Sequence, residues 1–196
     1  MPVRLDLQQN GTTWLAWRRG GVGASDAPVI MGVSPWMDLE TLWLEKTGRH
    51  PGRPSSHAMR RGVALEPEAR ARYIRVTGTH VEPVCLEHTS RNWMRASLDG
   101  LSADGGTAVE IKCPGAADHE IALAGGVPEK YLPQLQHLLA VSGARVCHYW
   151  SYRDGEGALV EVAPDRAYAR RLVERELEFW RHVLADRRPQ PTLFDP

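Results

Sequence analysis

Two alternating runs separated by a glycine-rich turn constrain the fold of this chain more than any other feature. In residues 93–99 every second residue is apolar, and residues 108–113 alternate in the same way. Alternation with a period of two indicates half-buried β-strands. The turn Asp104-Gly105-Gly106 between the runs is typical of a hairpin. The sequence therefore predicts two paired strands near the middle of the chain.

The polar residues of this hairpin have the chemistry of a metal site. The alternation puts Asp99 on the polar face of the first strand, and Glu110 and Lys112 together on the polar face of the second. Two carboxylates and the backbone carbonyl of Ile111 could hold Mg²⁺, a hard cation that prefers oxygen ligands. A lysine beside them could orient or help deprotonate a water that attacks a phosphodiester. The core face of the hairpin is assigned to Met94, Ala96, Leu98, Val109, Ile111 and Cys113.

The Glu-x-Lys tripeptide also has a second interpretation, because such a pair on a strand is often a solvated cross-strand charge pair. Composition favours the catalytic interpretation. The chain has only three lysines, Lys46, Lys112 and Lys130, and it fills nearly every other basic position with arginine. A lysine at position 112 is consistent with a need for a compact ammonium whose pKa can be tuned. Taken alone, the tripeptide leaves both interpretations open.

The length of 196 residues and the hydrophobic content of 42% predict one globular domain, placed at residues 1–188, followed by a proline-containing tail at 189–196. No apolar run is long enough to cross a bilayer, and the N-terminus lacks the pattern of a signal peptide. We therefore expect a cytoplasmic protein that does not contact a membrane. Three widely spaced cysteines predict buried thiols rather than disulfides or a CxxC metal site; they are Cys85, Cys113 and Cys147.

A formal net charge of zero is unusual for a protein that binds nucleic acid. Arginines nevertheless cluster and could line a phosphate track. The clusters are Arg60 with Arg61, then Arg70, Arg72 and Arg75, and then Arg166, Arg170, Arg171 and Arg175. Glutamates are interleaved with these arginines, so the alternative is a salt-bridged helix surface. This alternative is favoured for the last of the three clusters.

Helix signals precede the hairpin. Thr12 or Thr13 is expected to cap a first helix, and Ser25 to cap a second helix over residues 27–31. Arg18 near the end of the first helix and the Ser25 hydroxyl at the start of the second could together bind a phosphate. The alternative is that Ser25 only caps its own helix. Asp38 is expected to cap a third helix that ends near residue 47.

A longer helix is predicted over residues 59–78, and Pro67 should either disfavour helical geometry at Glu66 or bend the helix. Either effect would fix a third carboxylate in space, although Glu66 could instead be an acid favoured at a helix start. In a helix over 128–142, Tyr131 and Gln134 should face the same side. Further strands are expected at 79–87, 146–152 and 158–162, and a final helix at 165–184.

With these elements placed, the chain resembles the YqaJ-type viral recombinase family of alkaline exonucleases, which includes lambda exonuclease and belongs to the PD-(D/E)xK nuclease superfamily. The resemblance rests on several motifs in the family's order. They are Arg18 with Gly21-Val22-Gly23-Ala24-Ser25-Asp26; Ser34-Pro35-Trp36 with Leu42-Trp43-Leu44-Glu45-Lys46-Thr47-Gly48; Arg61-Gly62, Leu65-Glu66-Pro67, Ala69-Arg70, Tyr73 and Thr77-Gly78; Ser97-Leu98-Asp99-Gly100; Glu110-Ile111-Lys112-Cys113-Pro114; and Tyr131 with Gln134-Leu135-Gln136-His137.

The resemblance implies an α/β (α+β) fold, a central mixed β-sheet flanked by helices with a restriction-endonuclease-like core. The catalytic residues that it implies are Glu66, Asp99, Glu110 and Lys112, with metal held by Asp99, Glu110 and the Ile111 carbonyl. The 5′-phosphate pocket that it implies consists of Arg18, Ser25, Ser97 and Gln134. One departure is Leu98, which stands where the superfamily has proline. We expect no loss of chemistry, because Leu98 should point into the core.

The family also implies Mg²⁺-dependent 5′-to-3′ digestion of one strand of linear double-stranded DNA. Such digestion releases mononucleotides and leaves 3′ single-stranded overhangs for recombination by single-strand annealing. Two Mg²⁺ ions about 4 Å apart would serve each site, with Mn²⁺ as a substitute. The implied partners are DNA ends, two further copies in a homotrimeric ring and a single-strand annealing protein, in a bacterial host cell with the gene of phage or prophage origin. The alternatives are an endonuclease or single-strand nuclease with the same core, and a non-catalytic module that binds DNA ends.

The C-terminal tail carries one more motif. Gln190-Pro191-Thr192-Leu193-Phe194 is similar to the Gln-x-x-Leu-Phe peptides that dock on bacterial sliding clamps. A flexible terminus with two apolar anchors suits capture by a hydrophobic groove. The alternative is that Leu193 and Phe194 pack on a neighbouring surface of this protein or its trimer. It is favoured because short patterns readily arise by chance.

Overall fold

A mixed β-sheet forms the frame of the protein. The computed structural model describes residues 1–52 and 56–190, and in this part of the chain seven strands form one sheet in the order β1-β3-β4-β5-β6-β7, with β2 paired to β4. The strands are β1 (Val3–Leu5), β2 (Val22–Gly23), β3 (Val81–His88), β4 (Arg91–Ser102), β5 (Thr107–Lys112), β6 (Val146–Arg153) and β7 (Glu156–Val162). The β5–β6 and β2–β4 pairs are parallel and the others are antiparallel. The predicted mixed sheet is confirmed.

Helices cover both faces of the sheet. They are α1 (Thr12–Arg19), α2 (Ala27–Ile30), α3 (Leu39–Lys46), α4 (His57–Thr77), α5 (Ala116–Leu123), α6 (Leu132–Ser142) and α7 (Arg166–Leu184), with 3₁₀ turns at Ala24–Asp26 and Glu129–Tyr131. On one face, Leu135 and Leu138 of α6 pack with Leu98 of β4. On the other, Tyr73 of α4 packs with Trp150 of β6. Burial on both faces stabilises the sheet by removing apolar surface from water.

The predicted hairpin is present, but β4 contains an irregularity that its sequence pattern does not announce. Alternation holds through Leu98, which is fully buried. Along β3, Glu82 pairs with Leu101 and Val84 pairs with Leu98, so two steps of β3 match three steps of β4. This extra residue is a β-bulge, a device that changes the direction of a side chain next to a functional site. The bulge coincides with Asp99.

The expected helix caps are partly wrong. Helix α1 already includes Thr12, and its cap position is Gly11. Ser25 lies inside a 3₁₀ turn and does not cap α2. The expected cap Asp38 is confirmed, since its side chain accepts a hydrogen bond from the Thr41 amide at 2.8 Å. Caps depend on the backbone angles at the boundary, which the residue type alone does not fix.

The expected break in helical geometry at Glu66 is also wrong, because α4 continues through Pro67 from His57 to Thr77. The alternative, a bend at Pro67, stays a prediction. A proline inside a helix costs about 3 kcal/mol through a lost hydrogen bond and a steric clash. The two residues of α4 that are fully buried against the sheet, Ala69 and Tyr73, both lie in the part of the helix after Pro67. Tertiary packing of this face outweighs the local preference.

The remaining expectations concern the cysteines, membrane contact and the tail. All three cysteines are free thiols; Cys85 and Cys147 are buried as predicted, whereas Cys113 is only half-buried. Among the described residues, no helix combines the length and apolar character that spanning a bilayer requires. The proposed clamp-binding anchors Leu193 and Phe194 lie outside the described residues.

Candidate functional site

One cleft of about 270 Å³ receives side chains from α1, the turn before α2, α4, β4, β5 and α6. It is lined by all eight side chains that the sequence analysis assigned to the site: Arg18, Ser25, Glu66, Ser97, Asp99, Glu110, Lys112 and Gln134. More than one hundred positions of the chain separate the first of these residues from the last, so only the fold brings them together. The cleft has an acidic side and a cationic side.

Asp99 reaches the acidic side at the point where β4 and β5 separate. These strands pair at Gly100–Val109 and Leu101–Ala108. Beyond that point the Ile111 amide donates a hydrogen bond to Asp99 Oδ2 at 2.7 Å. A side-chain carboxylate thus takes the place of a backbone partner, and the Ile111 side chain packs into the core. The predicted ligands Asp99 and Ile111 are therefore held against each other.

Glu110 and Lys112 form an ion pair in the cleft, with 2.6 Å between Lys112 Nζ and Glu110 Oε1. The Gln134 side-chain amide donates to the same Oε1 at 2.5 Å. Glu110 is only 3% exposed, which contradicts the interpretation of Glu-x-Lys as a solvated surface pair. Among the described residues, the other oxygen, Glu110 Oε2, is buried without a hydrogen-bond partner. An unpartnered buried carboxylate oxygen is costly unless something binds it.

An arginine that the sequence analysis did not assign to this site fixes the third acid. The Arg70 guanidinium pairs with Glu66 Oε1 and also donates through Nε to the Asp99 carbonyl at 2.7 Å. Arg70 thereby ties α4 to the bulge of β4 and keeps the Glu66 carboxylate at the cleft. The spacing of Glu66 and Arg70, four residues apart on a helix, was the available signal for this contact.

The neighbouring acids raise the proton affinity of Asp99. Burial raises the pKa of Asp99 well above its usual range, and the nearby Glu110 and Glu66 carboxylates raise it further. Burial opposes protonation of Lys112, but the Glu110 and Asp99 carboxylates outweigh it and raise the pKa of Lys112. Asp99 and Glu110 thus share one lysine in a poorly solvated site, and Glu66 lies beside them in a pair with Arg70. A divalent cation would relieve this excess of negative charge.

The donor set fits Mg²⁺. In the described part of the chain, no group of three or more His, Cys, Asp or Glu side chains is placed to hold a metal ion. Asp99, Glu110 and the Ile111 carbonyl offer only oxygen donors, and Mg²⁺ commonly keeps several waters beside one or two carboxylates. The unpartnered Glu110 Oε2 is a further oxygen available to a hard cation.

The cationic side of the cleft is built on α1. Arg18 Nη2 donates to the Ser25 Oγ at 2.5 Å, and its guanidinium carbon lies 4.6 Å from the centre of the Trp14 ring. Trp14 in turn donates from Nε1 to Ser97 Oγ at 2.7 Å. We call Arg18, Ser25 and Ser97 the cradle. A guanidinium and two hydroxyls form a donor set that suits a phosphate. Gln134 is bonded to Glu110 and lies toward the acids.

Arg95 also lines the cleft, although the sequence analysis did not assign it to the site. Its guanidinium donates to the Trp17 carbonyl and lies 3.3 Å from Glu87 Oε1. The alternation of β4 already placed Arg95 on the same face as Ser97 and Asp99, so the signal was present. These contacts connect β4 to the end of α1 beside the cradle.

Comparison with known proteins relates this chain to a family of viral recombinase domains. The model of the YqaJ-like viral recombinase domain family matches residues 13–145. The uncharacterized protein YqaJ of Bacillus subtilis strain 168 is 31% identical over 173 residues, which cover 85% of this chain and 54% of that protein. The chain thus spans about half the length of this curated relative.

Solved structures support the same fold. An alkaline exonuclease (LHK-Exo) from Laribacter hongkongensis superposes with a TM-score of 0.77 at 28% sequence identity, covering 90% of this chain and 94% of that chain. The same enzyme in complex with dAMP matches equally well, at 29% identity. A phage-related exonuclease from Haemophilus somnus 129PT has a TM-score of 0.64 at 11% identity, covering 85% of this chain and 96% of that one, and shows similarity of fold alone.

Proposed function

The chain belongs to the YqaJ-like viral recombinase domain family, and from this premise we propose that it is an Mg²⁺-dependent exonuclease that digests one strand of linear duplex DNA from the 5′ end. The observation that carries the proposal is the single cleft in which the acids Asp99 and Glu110 and the lysine Lys112 face the Arg18 cradle. Hydrolysis requires the acids and the lysine, and recognition of a terminal phosphate requires the cradle. The similar alkaline exonuclease solved with dAMP, a mononucleotide, supports release of mononucleotides.

One set of residues would bind the terminal phosphate, and another would act in hydrolysis. The Arg18 guanidinium and the Ser25 and Ser97 hydroxyls would hold the terminal phosphate and so set which phosphodiester reaches the acids. Lys112 Nζ, held by Glu110, would orient the attacking water and donate a hydrogen bond to charge that develops on the scissile phosphate. Glu66, fixed by Arg70, would face the same water from α4 as a further acid.

Asp99, Glu110 and the Ile111 carbonyl would hold the cation in this proposal, with Mn²⁺ able to replace Mg²⁺ and a second ion completing the site. When bound, Mg²⁺ lowers the pKa of the attacking water and neutralises charge on the phosphate. The buried Glu110 Oε2 and the oxygen-only donor set favour this assignment.

Digestion of end-labelled DNA tests the proposal. Linear duplex with a 5′-phosphate should be degraded in Mg²⁺ and not in chelator, with mononucleotides as product and a growing 3′ overhang. Linear duplex with a 5′-hydroxyl should be degraded more slowly, and circular duplex should remain intact. Equal rates on both linear substrates would contradict anchoring by the 5′-phosphate. Cleavage of circles would favour an endonuclease, and binding of ends without cleavage would favour a non-catalytic module.

The proposal extends to assembly and partners. A homotrimeric ring around DNA would reconcile the zero net charge with DNA binding, since basic residues need only line the channel. Light scattering should then give three times the chain mass of 21.9 kDa. We also propose that the 3′ overhang passes to a single-strand annealing protein, in the cytoplasm of a bacterial host that carries the gene on a phage or prophage.

The clamp-binding motif is a separate part of the proposal. A pull-down with purified sliding clamp should recover the full chain and not a chain that ends at Arg188, because the motif begins at Gln190. Equal recovery of both chains, or of neither, would contradict clamp binding by the tail.

A further inference from the structure

Lys46 and Asp26 form a buried ion pair directly behind the cradle. Lys46 Nζ lies 2.5 Å from Asp26 Oδ2, and the two side chains are 7% and 9% exposed. Lys46 is the last residue of α3, and Asp26 ends the turn that carries Ser25. Neither side chain lines the cleft, so neither is placed to touch a substrate there.

Both partners make a second contact, one with the backbone of Arg18 and one with the backbone just before Ser25. Lys46 Nζ donates to the Arg18 carbonyl at 3.1 Å. Asp26 Oδ2 accepts from the Gly23 amide at 2.8 Å. The pair therefore joins the end of α1, which carries Arg18, to the turn that carries Ser25. These are the two segments whose side chains meet in the bond between Arg18 and Ser25.

The charge state is that of an ion pair. Burial would raise the pKa of Asp26, but the Lys46 ammonium and the Arg18 guanidinium outweigh it and hold this pKa below its usual value. Burial lowers the pKa of Lys46, and Asp26 opposes that shift. A buried ion pair is often no more stabilising than a well-packed apolar pair, so stability alone does not account for it. The pair also fixes the geometry of the two segments that it joins, and this accounts for its presence.

We propose that the Lys46–Asp26 pair positions Arg18 and Ser25 for a terminal phosphate and thereby sets the preference of the protein for 5′-phosphorylated ends. The inference rests on the proposed function, because it concerns the same cradle. Lys46 and Asp26 are positioning residues, since they act through Arg18 and Ser25.

Binding of two duplexes that differ only in the 5′-phosphate tests the inference. Fluorescence anisotropy in chelator gives the Kd for the 5′-phosphate and 5′-hydroxyl forms without cleavage. Charge-assisted hydrogen bonds from the cradle should make the wild-type preference about tenfold or more. The double variant Lys46→Met with Asp26→Asn removes the buried charges together, so neither is left unpaired, and Asn can still accept from the Gly23 amide. The preference should fall to near one, with affinity for the 5′-hydroxyl duplex unchanged.

A matched control removes an exposed ion pair, Arg49 with Asp186, through Arg49→Met and Asp186→Asn. That variant should keep the wild-type preference. Asp26→Asn alone is a second test, because a buried unpaired lysine can lose its proton and leave the fold intact; we expect the same loss. A role confined to stability would instead leave the preference of the folded double variant at its wild-type value.

The outcomes separate the inference from the function on which it rests. A wild-type preference that persists in the folded double variant and in Asp26→Asn would overturn the inference and leave the proposed function intact. A wild-type protein with no preference for the 5′-phosphate would overturn the inference together with the anchoring by the 5′-phosphate on which it rests.

Discussion

The backbone amide of Ile111 donates a hydrogen bond of 2.7 Å to the Asp99 carboxylate, across the point at which β4 and β5 separate. This contact joins two of the proposed metal ligands before any cation arrives. Asp99 is nevertheless surrounded by the carboxylates of Glu66 and Glu110, which raise its pKa together with burial. The clustered carboxylates thus lower the stability of the fold, and they leave a site that is ready to bind a cation.

Asp99→Asn and Asp99→Ala should separate structure from chemistry. Asn can still accept from the Ile111 amide and removes the repulsion among the acids, so this variant should be at least as stable as the wild type. Ala leaves the amide without a partner and should lower the free energy of unfolding by about 1 to 3 kcal/mol. Urea denaturation measures both, and both variants should be inactive. Equal stability of the two would contradict a structural role for this bond.

Lys112→Ala should abolish Mg²⁺-dependent cleavage, with a loss of about 10²-fold or more, and retain binding of DNA ends. Lys130→Ala is the matched control, because both lysines lie over the Tyr131 ring, at 5.3 and 5.4 Å, and only Lys112 lines the cleft. Rates on end-labelled linear duplex measure the effect. Undiminished cleavage by Lys112→Ala would refute the assigned role.

Glu110→Gln should abolish binding of the divalent cation. Binding of Mg²⁺ to the folded state alone stabilises it by mass action, so Mg²⁺ should raise the Tm of the wild type. The variant should show no such rise, because its buried amide cannot replace the carboxylate of Glu110. Glu82→Gln, on an exposed side chain of β3, should respond as the wild type does. A Tm rise that survives in Glu110→Gln would place the cation elsewhere.

Arg70→Ala should lower kcat about tenfold or more, because Arg70 bonds both Glu66 and the Asp99 carbonyl and its loss leaves Glu66 free to move. The control is Arg72→Ala, which removes an exposed arginine from the same helix. Single-turnover rates at saturating DNA isolate the chemical step. If the two variants cleaved equally fast, Arg70 would have no positioning role.

His137 and Glu176 should make stability fall as the pH rises. His137 Nε2 faces the Arg95 carbonyl and must donate to it, and its Nδ1 lies 2.6 Å from Glu176 Oε1. Burial opposes a charged imidazole, but Glu176 and, more weakly, the Arg95 carbonyl and Asp26 raise the pKa of His137 above 6.5. Burial also raises the pKa of Glu176 above 4.5, against the effect of His137.

With both folded pKa values raised, the folded state binds more protons than the unfolded state. The pair's contribution is therefore complete below the unfolded pKa values and is lost as the pH rises through the raised pKa of His137. Glu176→Gln keeps a hydrogen bond to a neutral His137, so its urea midpoint should change less between about pH 6 and pH 9 than that of the wild type. Parallel profiles would contradict the assignment.

The candidate site was largely predictable because its chemistry is concentrated in short motifs. The periodicity of β4 and β5 placed Glu110 and Lys112 on one face, and their ion pair confirms it. The contact between Arg18 and Ser25 was harder to predict from sequence. The expected helix cap at Ser25 is wrong, and its hydroxyl instead accepts a hydrogen bond from Arg18. Arg70 and Arg95 were not assigned to the site, since their roles depend on backbone carbonyls of distant elements.

By itself, the sequence determined the strand and helix periods and the residue types of the site, since these follow from local spacing and polarity. The mixed sheet was implied by the family resemblance. Only the tertiary structure decided the bulge in β4 at Asp99, which pairing with β3 sets. It also decided the burial of Glu110 and the ion pair between Lys46 and Asp26. Burial and contacts between distant segments depend on how elements pack, and that is a property of the whole chain rather than of any one motif.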